Sequence, residues 1–150
     1  MKIIRRYLPN TLSRLDKTRQ RNMIVKSRRL YRQGKYYTRK PVKSFKSTPS
    51  NHISRAKDLY HVDTIDATTE LARATGCSKK GLREIIRKGE GAYYSSGSRP
   101  NQTPQSWGKA RLASSITGGN ASRVDYSIID KECSHRKPAY RLAQKPKMSV

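Results

Sequence analysis

The chain reads as all-α, a small bundle of short helices behind a long basic N-terminal arm that is itself partly helical and partly extended. Three observations predict this. Apolar residues recur at helical spacing in short groups from Ile53 onward, each group opens on a capping residue or a proline, and glycines close most of them.

Taken in order, Ser13 to Gln33 contains neither proline nor glycine and stops at Gly34, which predicts a basic helix with a weak apolar stripe of Leu12, Leu15, Met23 and Leu30. Residues 35–50, with their Pro, Ser and β-branched content, read as an extended connector crossing a surface. Asn51 is placed to cap a helix carrying Ile53, Ala56, Leu59 and Tyr60. Asp66 is placed to cap one carrying Ala67, Leu71 and Ala74 that stops at Gly76. Ser78 caps the next, with Leu82, Ile85 and Ile86 on one side and Gly89 at its end. From Gly89 to Thr103 the residues are turn chemistry and predict no regular element. Pro104 suits the first position of a helix with Trp107, Ala110, Arg111, Leu112, Ala113 and Ile116, ended by Gly118 and Gly119. Asn120 then caps a last helix with Ala121, Val124, Ile128 and Ile129. The expected organisation is a basic arm over 1–50, a helical core over 51–135 and a basic tail over 136–150.

Charge is the strongest constraint on function. The formal net charge is +24, and the first fifty residues hold sixteen Lys and Arg against one acid, Asp16. Such a segment repels itself when isolated and gains by releasing counterions from nucleic acid or by docking on acidic protein or lipid headgroups. Tyr7, Leu8, Leu12, Ile24, Leu30, Tyr31, Tyr36, Tyr37 and Phe45 interrupt the run, more apolar anchors than a solvating tail carries. With 33% apolar residues the core is small, so part of the order of the arm is expected to come from partners. No stretch approaches the roughly 20 apolar residues of a membrane span. Cys77 and Cys133 lie far apart with no Cys-x-x-Cys pairing, which suggests neither a disulfide nor a zinc site and fits a reducing place of synthesis.

Thr68 to Gly89 carries the spacing of a helix-turn-helix: small Ala72 where two helices cross, Gly76 for a left-handed turn, and Leu82 and Ile85 facing back. Lys79, Lys80, Arg83, Arg87 and Lys88 make its second helix basic enough for nucleic-acid phosphates, although Glu84 in their midst works against this. Any tight helical hairpin needs the same spacing, and a structural hairpin is the preferred expectation. In the loop after it, Tyr93, Tyr94 and Trp107 can stack bases. The plainer expectation puts Trp107 at the centre of the core, against the 82–86 face, with the tyrosines clamping the loop onto it. His52, His61 and His135 are scattered and no carboxylate pair or Ser/His/Asp grouping emerges, so neither an enzyme nor a cofactor is expected.

The segments LYRQGKYYTRKPVKSFKS at 30–47, SNHISRAKDLY at 50–60, TGCSKKGLREIIRKGEGAYYSSGSRPNQTPQSWGKARLASSITGG at 75–119 and VDYSIIDKEC at 124–133 resemble an uncharacterised domain family of large double-stranded DNA viruses. The GAYYSSGSRPNQT-x-x-SW block is the most specific part. The resemblance implies a viral origin and carries no activity. The expectation that follows is a structural virion protein, a minor capsid component lining or cementing the inner face of an icosahedral shell, synthesised in the host cytoplasm. Its partners would be capsid proteins, with Tyr31, Tyr36, Tyr37, Arg39, Lys40 and Phe45 as contact residues, and viral DNA or an acidic inner-membrane surface as further sources of negative charge. The alternative is a nucleic-acid-binding protein, either a helix-turn-helix protein or a genome-condensing virion protein.

Overall fold

A computed structural model describes residues 2–48 and 50–144; residues 145–150 of the expected tail lie outside the described residues. Among these residues the regular elements are eight α-helices and a 3-10 turn at Arg5–Tyr7, with no strand. The helices are α1 Arg14–Arg32, α2 Asn51–Tyr60, α3 Thr69–Thr75, α4 Lys79–Ser95, α5 Pro104–Ile116, α6 Ala121–Val124, α7 Tyr126–Glu132 and α8 Pro138–Gln144. No helix among the described residues is long and apolar enough to cross a membrane. The all-α class is as the sequence predicts. The described residues form two compact units: residues 2–48 group with Glu90–Trp107, and the other described residues group together.

The larger, helical unit holds the apolar core. Leu71, Leu82, Ile85, Leu112, Ile116 and Ile129 are fully buried in one cluster with Ala56, Ile65, Ala113 and Ala139. The Tyr60 hydroxyl joins this cluster to the end of α5 by donating to the Ile116 carbonyl, one of the acceptors a helix terminus leaves open. α3 is capped by Thr68, whose hydroxyl accepts from Leu71 N at 3.1 Å, in place of the expected Asp66. α2 begins at Asn51 itself, with Ser50 at the cap position. The single last helix expected from Asn120 is broken in two at Asp125, because the Asp125 carboxylate turns inward, fully buried, to meet Arg111 and Ser115.

Gly89 does not end a helix. A Cβ there would lie 2.7 Å from the Gly108 Cα, so the missing side chain lets α4 and α5 cross at backbone contact. α4 continues through Gly91 to Ser95, and the helical propensity lost at two glycines is outweighed by this crossing and by the full burial of Tyr93. A second correction concerns Cys77 and Cys133, which are joined by a disulfide across 56 residues of sequence. They also form an isolated antiparallel bridge, with Ser78 N donating to the Glu132 carbonyl and Ser134 N to the Gly76 carbonyl, each at 2.8 Å. Sequence distance hid a pair that the fold brings together.

In the first unit α1 starts and stops where the sequence says. The Ser13 hydroxyl accepts from Asp16 N, and at the far end Gly34 takes φ 75° while Gly34 N donates to the Tyr31 carbonyl and Lys35 N to that of Leu30. The buried face differs from the predicted stripe. It is Asp16, Gln20, Ile24 and Ser27, whereas Leu15 is 60% exposed. The reason is what this face meets. Ser27 Oγ donates to the Tyr94 carbonyl, Arg28 Nε to that of Ser96 and Gln20 Nε2 to that of Ser98, so α1 supplies donors to the open carbonyls at the end of α4 and just beyond it. Trp107 also departs from expectation. It is half-buried and packs edge-on to Tyr7 with ring centres 6.1 Å apart, in this unit and outside the helical core.

Candidate nucleic-acid interface

The helical hairpin of α3 and α4 is built around a fixed turn. Gly76 takes φ 83°, and its N–H closes α3 on the Ala72 carbonyl. Ser78 Oγ accepts from Gly81 N at 3.0 Å, capping α4, and donates to Glu132 Oε1 at 2.7 Å. With the disulfide next to it, the turn is held to the end of α7 by covalent and hydrogen-bond links at once. Leu82, Ile85 and Ile86 face inward, and Lys79, Lys80, Arg83, Arg87 and Lys88 are all exposed. Lys79, Arg83 and Arg87 are spaced four apart and line one face of the helix. Lys88 has a partner in its own unit, since its Nζ stands 3.6 Å from Asp125 Oδ1. The other four cations of this group are the ones best placed for a phosphate backbone.

The first unit is the more strongly charged. It holds seventeen Lys and Arg against two acids, Asp16 and Glu90, a net charge of +15. Asp16 is buried and engaged: Ser44 N donates to its Oδ2 at 2.8 Å and Arg19 Nη1 lies 3.5 Å from its Oδ1. Hydrogen bonds from Ser44, and then the charge of Arg19, hold its carboxyl below the ordinary aspartate range against the opposing effect of burial. What remains outside is almost wholly cationic.

Residues 35–48 run extended across this unit, pinned at fixed points. Val42 N donates to Asn101 Oδ1, Asn101 Nδ2 donates to the Phe45 carbonyl, and Arg39 is anchored beneath. Arg39, grouped by sequence with the contact residues, is only 6% exposed and spends its guanidinium inside the unit on Ser27, Ser98 and the Tyr93 carbonyl. Nothing local in the sequence marks it, because its acceptors come from three distant places. Tyr37 is half-buried with Lys26 Nζ 4.5 Å from its ring centre, Phe45 is half-buried, and Lys40 is exposed. Tyr31, Tyr36 and Tyr94 gather into one cluster. Tyr94 is stacked on Tyr31 with rings 9° from parallel and centres 6.0 Å apart, and Tyr36 tilts against both, at 6.1 Å from Tyr31 and 5.0 Å from Tyr94. Tyr36 remains 72% exposed. Tyr93, a stacking candidate in the sequence, is fully buried and faces Arg39.

No curated protein and no solved structure matches the chain. A family model does, over residues 5–133, so its match takes in α1, the extended segment, the cationic hairpin and the buried Asp125 cluster. On that span, the chain belongs to a family of unknown function (DUF5824).

Proposed function

We propose that the chain is a nucleic-acid-binding virion protein of a large double-stranded DNA virus, packed against the genome inside the particle. The observation that carries this is the first unit, whose net +15 is offset by two carboxylates, one of them buried and already engaged. A surface of that kind has few acidic groups of its own to turn to, and a phosphate backbone offers regularly spaced negative charge together with the entropy of released counterions. The exposed cations of α4 add a second surface of the same sign. The viral setting rests on the resemblance of the GAYYSSGSRPNQT-x-x-SW block. The test is a binding titration of the purified chain with labelled nucleic acid at several salt concentrations. The reading expects log K to fall linearly with log salt at a slope of several units. Binding absent at about 0.1 M salt would end it.

A second reading keeps the chain as a minor capsid component on the inner face of the shell, with capsid proteins as its partners. Its support is the exposure of Leu15 at 60% and Ile4 at 42% in the same cationic unit, since apolar groups among cations suit an acidic protein surface better than a phosphate backbone. An averaged virion map separates the two. A capsid component occupies fixed symmetry positions, whereas a genome-bound protein leaves with the nucleic acid.

A further inference from the structure

We infer that Tyr31, Tyr36 and Tyr94 form a stacking platform for unpaired bases, so that the chain takes single-stranded nucleic acid in preference to duplex; this rests on the nucleic-acid reading above. The three rings come from the last turn of α1, the start of the extended segment and the last turn of α4. They have an ordinary alternative use, which is to clamp the turn after α1 onto α4. Tyr36 is the ring that this use leaves unexplained. It is braced by two neighbours, yet 72% of it faces solvent, where a clamping residue would be covered. A ring fixed in place with an open surface is already ordered for stacking, and less freedom is lost when a base lands on it.

The electrical setting points to the same ligand. Arg32 and Lys35 are exposed and next in sequence to Tyr31 and Tyr36, while Lys40 follows four residues after Tyr36. Glu90, a carboxylate of the same unit, is half-buried one helical turn ahead of Tyr94, and is set against the net +15 of the unit. Aromatic faces amid cations hold single strands through stacking and backbone attraction together, and duplex bases, already stacked on each other, cannot use the rings. The duplex therefore gains only the charge.

The test uses the full chain, labelled oligo(dT) and oligo(rU) of about 15 nucleotides, and a duplex of the same length, at about 0.1 M salt. The wild-type chain is expected to bind single strands more tightly than duplex, with the two oligonucleotides showing whether the sugar matters. Tyr36→Ala should weaken single-strand binding about fivefold or more, the lower end of what one stacked base contributes, and leave duplex binding within about twofold. The salt slope should not change, because the substitution removes no charge. Tyr36→Leu keeps apolar bulk and removes the aromatic face, so it should lose as much as alanine, whereas Tyr36→Trp should restore binding. Equal losses on single strand and duplex, full binding by Tyr36→Leu, or a wild-type chain without single-strand preference would each overturn the platform while leaving the nucleic-acid reading in place. A wild-type chain that binds none of the three probes brings down both.

Discussion

The guanidinium carbon of Arg39 lies 3.7 Å over the centre of the Tyr93 ring, and the arginine holds the same tyrosine at both ends. Its backbone N–H donates to the phenol oxygen at 2.8 Å and its Nη1 donates to the Tyr93 carbonyl at 2.9 Å. Nη1 also donates to Ser27 Oγ and Nη2 to Ser98 Oγ, so one buried cation ties the extended segment to α1, α4 and the loop beyond it. Among the described residues, no carboxylate accepts a hydrogen bond from it. Burial pulls its pKa down, yet an arginine stays charged, and the ring face and three oxygens take the place of water around it.

The first prediction follows from that arrangement. Arg39→Ala leaves two hydroxyls and a carbonyl short of partners and opens a void under the segment, at a cost of about 3 kcal/mol to the first unit. Arg39→Lys should cost about 1–2 kcal/mol, since a single ammonium cannot reach all three acceptors or lie flat on the ring. The single tryptophan, Trp107, sits in this unit against Tyr7, so its fluorescence in a denaturant titration reads the change. A midpoint unmoved by Arg39→Ala would contradict the account.

Asp16 gives this unit an acid limit. Its folded pKa lies below the ordinary 3.8, chiefly because Ser44 bonds to the ionised form. A depressed acid contributes stability that is complete above the unfolded value and is lost as pH falls through the folded one. Trp107-monitored stability should therefore decline from about pH 5 downward. Asp16→Asn should be less stable at neutral pH and show a shallower decline on the acid side. Parallel curves for the two proteins would remove Asp16 as the cause.

The elements that local chemistry marks were legible in the sequence. Ser13 and Gly34 bound α1, Gly76 and Ser78 bound the hairpin turn, and Pro104 opens α5, each by a rule that needs only its neighbours. What escaped depends on distant partners. Gly89 looks like a stop until Gly108 is seen beside it, Arg39 looks like one more surface cation until residues 27, 93 and 98 converge on it, and Cys77 and Cys133 look unrelated until the fold pairs them. In the candidate interface, the exposure of Lys79, Lys80, Arg83 and Arg87 was readable from helical spacing. The tyrosine cluster was half readable: Tyr31 and Tyr36 stood out, and their meeting with Tyr94 needed the third dimension.

Asp125 plays in the helical unit the part that Arg39 plays in the other. It is fully buried and takes two bonds from Arg111, at 2.9 and 2.7 Å, and one from Ser115 Oγ at 2.8 Å. Removing the carboxylate takes the counter-charge from Arg111, whose side chain is 19% exposed, and the acceptor from the buried Ser115 hydroxyl, so Asp125→Ala should cost about 3 kcal/mol. Lys88 is 47% exposed and 3.6 Å away, and Lys88→Ala should cost less than about 1 kcal/mol. Far-UV circular dichroism during thermal unfolding reads both. Similar losses for the two variants would mean that the buried pair is not what holds the break between α6 and α7.

The disulfide constrains the unfolded chain more than the folded one. Closing a loop across 56 residues of sequence removes denatured-state entropy equivalent to about 4 kcal/mol. Cys77→Ser with Cys133→Ser, or reduction, should lower the melting temperature of the helical unit. It should also speed amide exchange at Ser78 and Ser134, whose N–H groups bond across the bridge. Exchange at those two amides that does not respond to reductant would show that the hydrogen bonds hold the turn unaided.

The final prediction concerns the cationic face of α4, where a structural hairpin and a phosphate-binding one give different results. Lys79, Lys80 and Arg83 are exposed, and no ion pair is formed by any of them among the described residues, so replacing them with glutamine leaves the packing of Leu82, Ile85 and Ile86 alone. Melting should be unchanged in either case. If the face lies on nucleic acid, the triple variant binds duplex more weakly at every sequence, and the slope of log K against log salt becomes shallower by nearly one unit for each phosphate that is no longer neutralised. The weakening should be uniform across sequences because phosphates carry no base information. Glu84 sits among these cations, and Glu84→Gln should therefore strengthen binding if phosphates come that close. An unchanged slope in the triple variant, together with no gain from Glu84→Gln, would assign this face to the scaffold and leave the first unit as the binding surface.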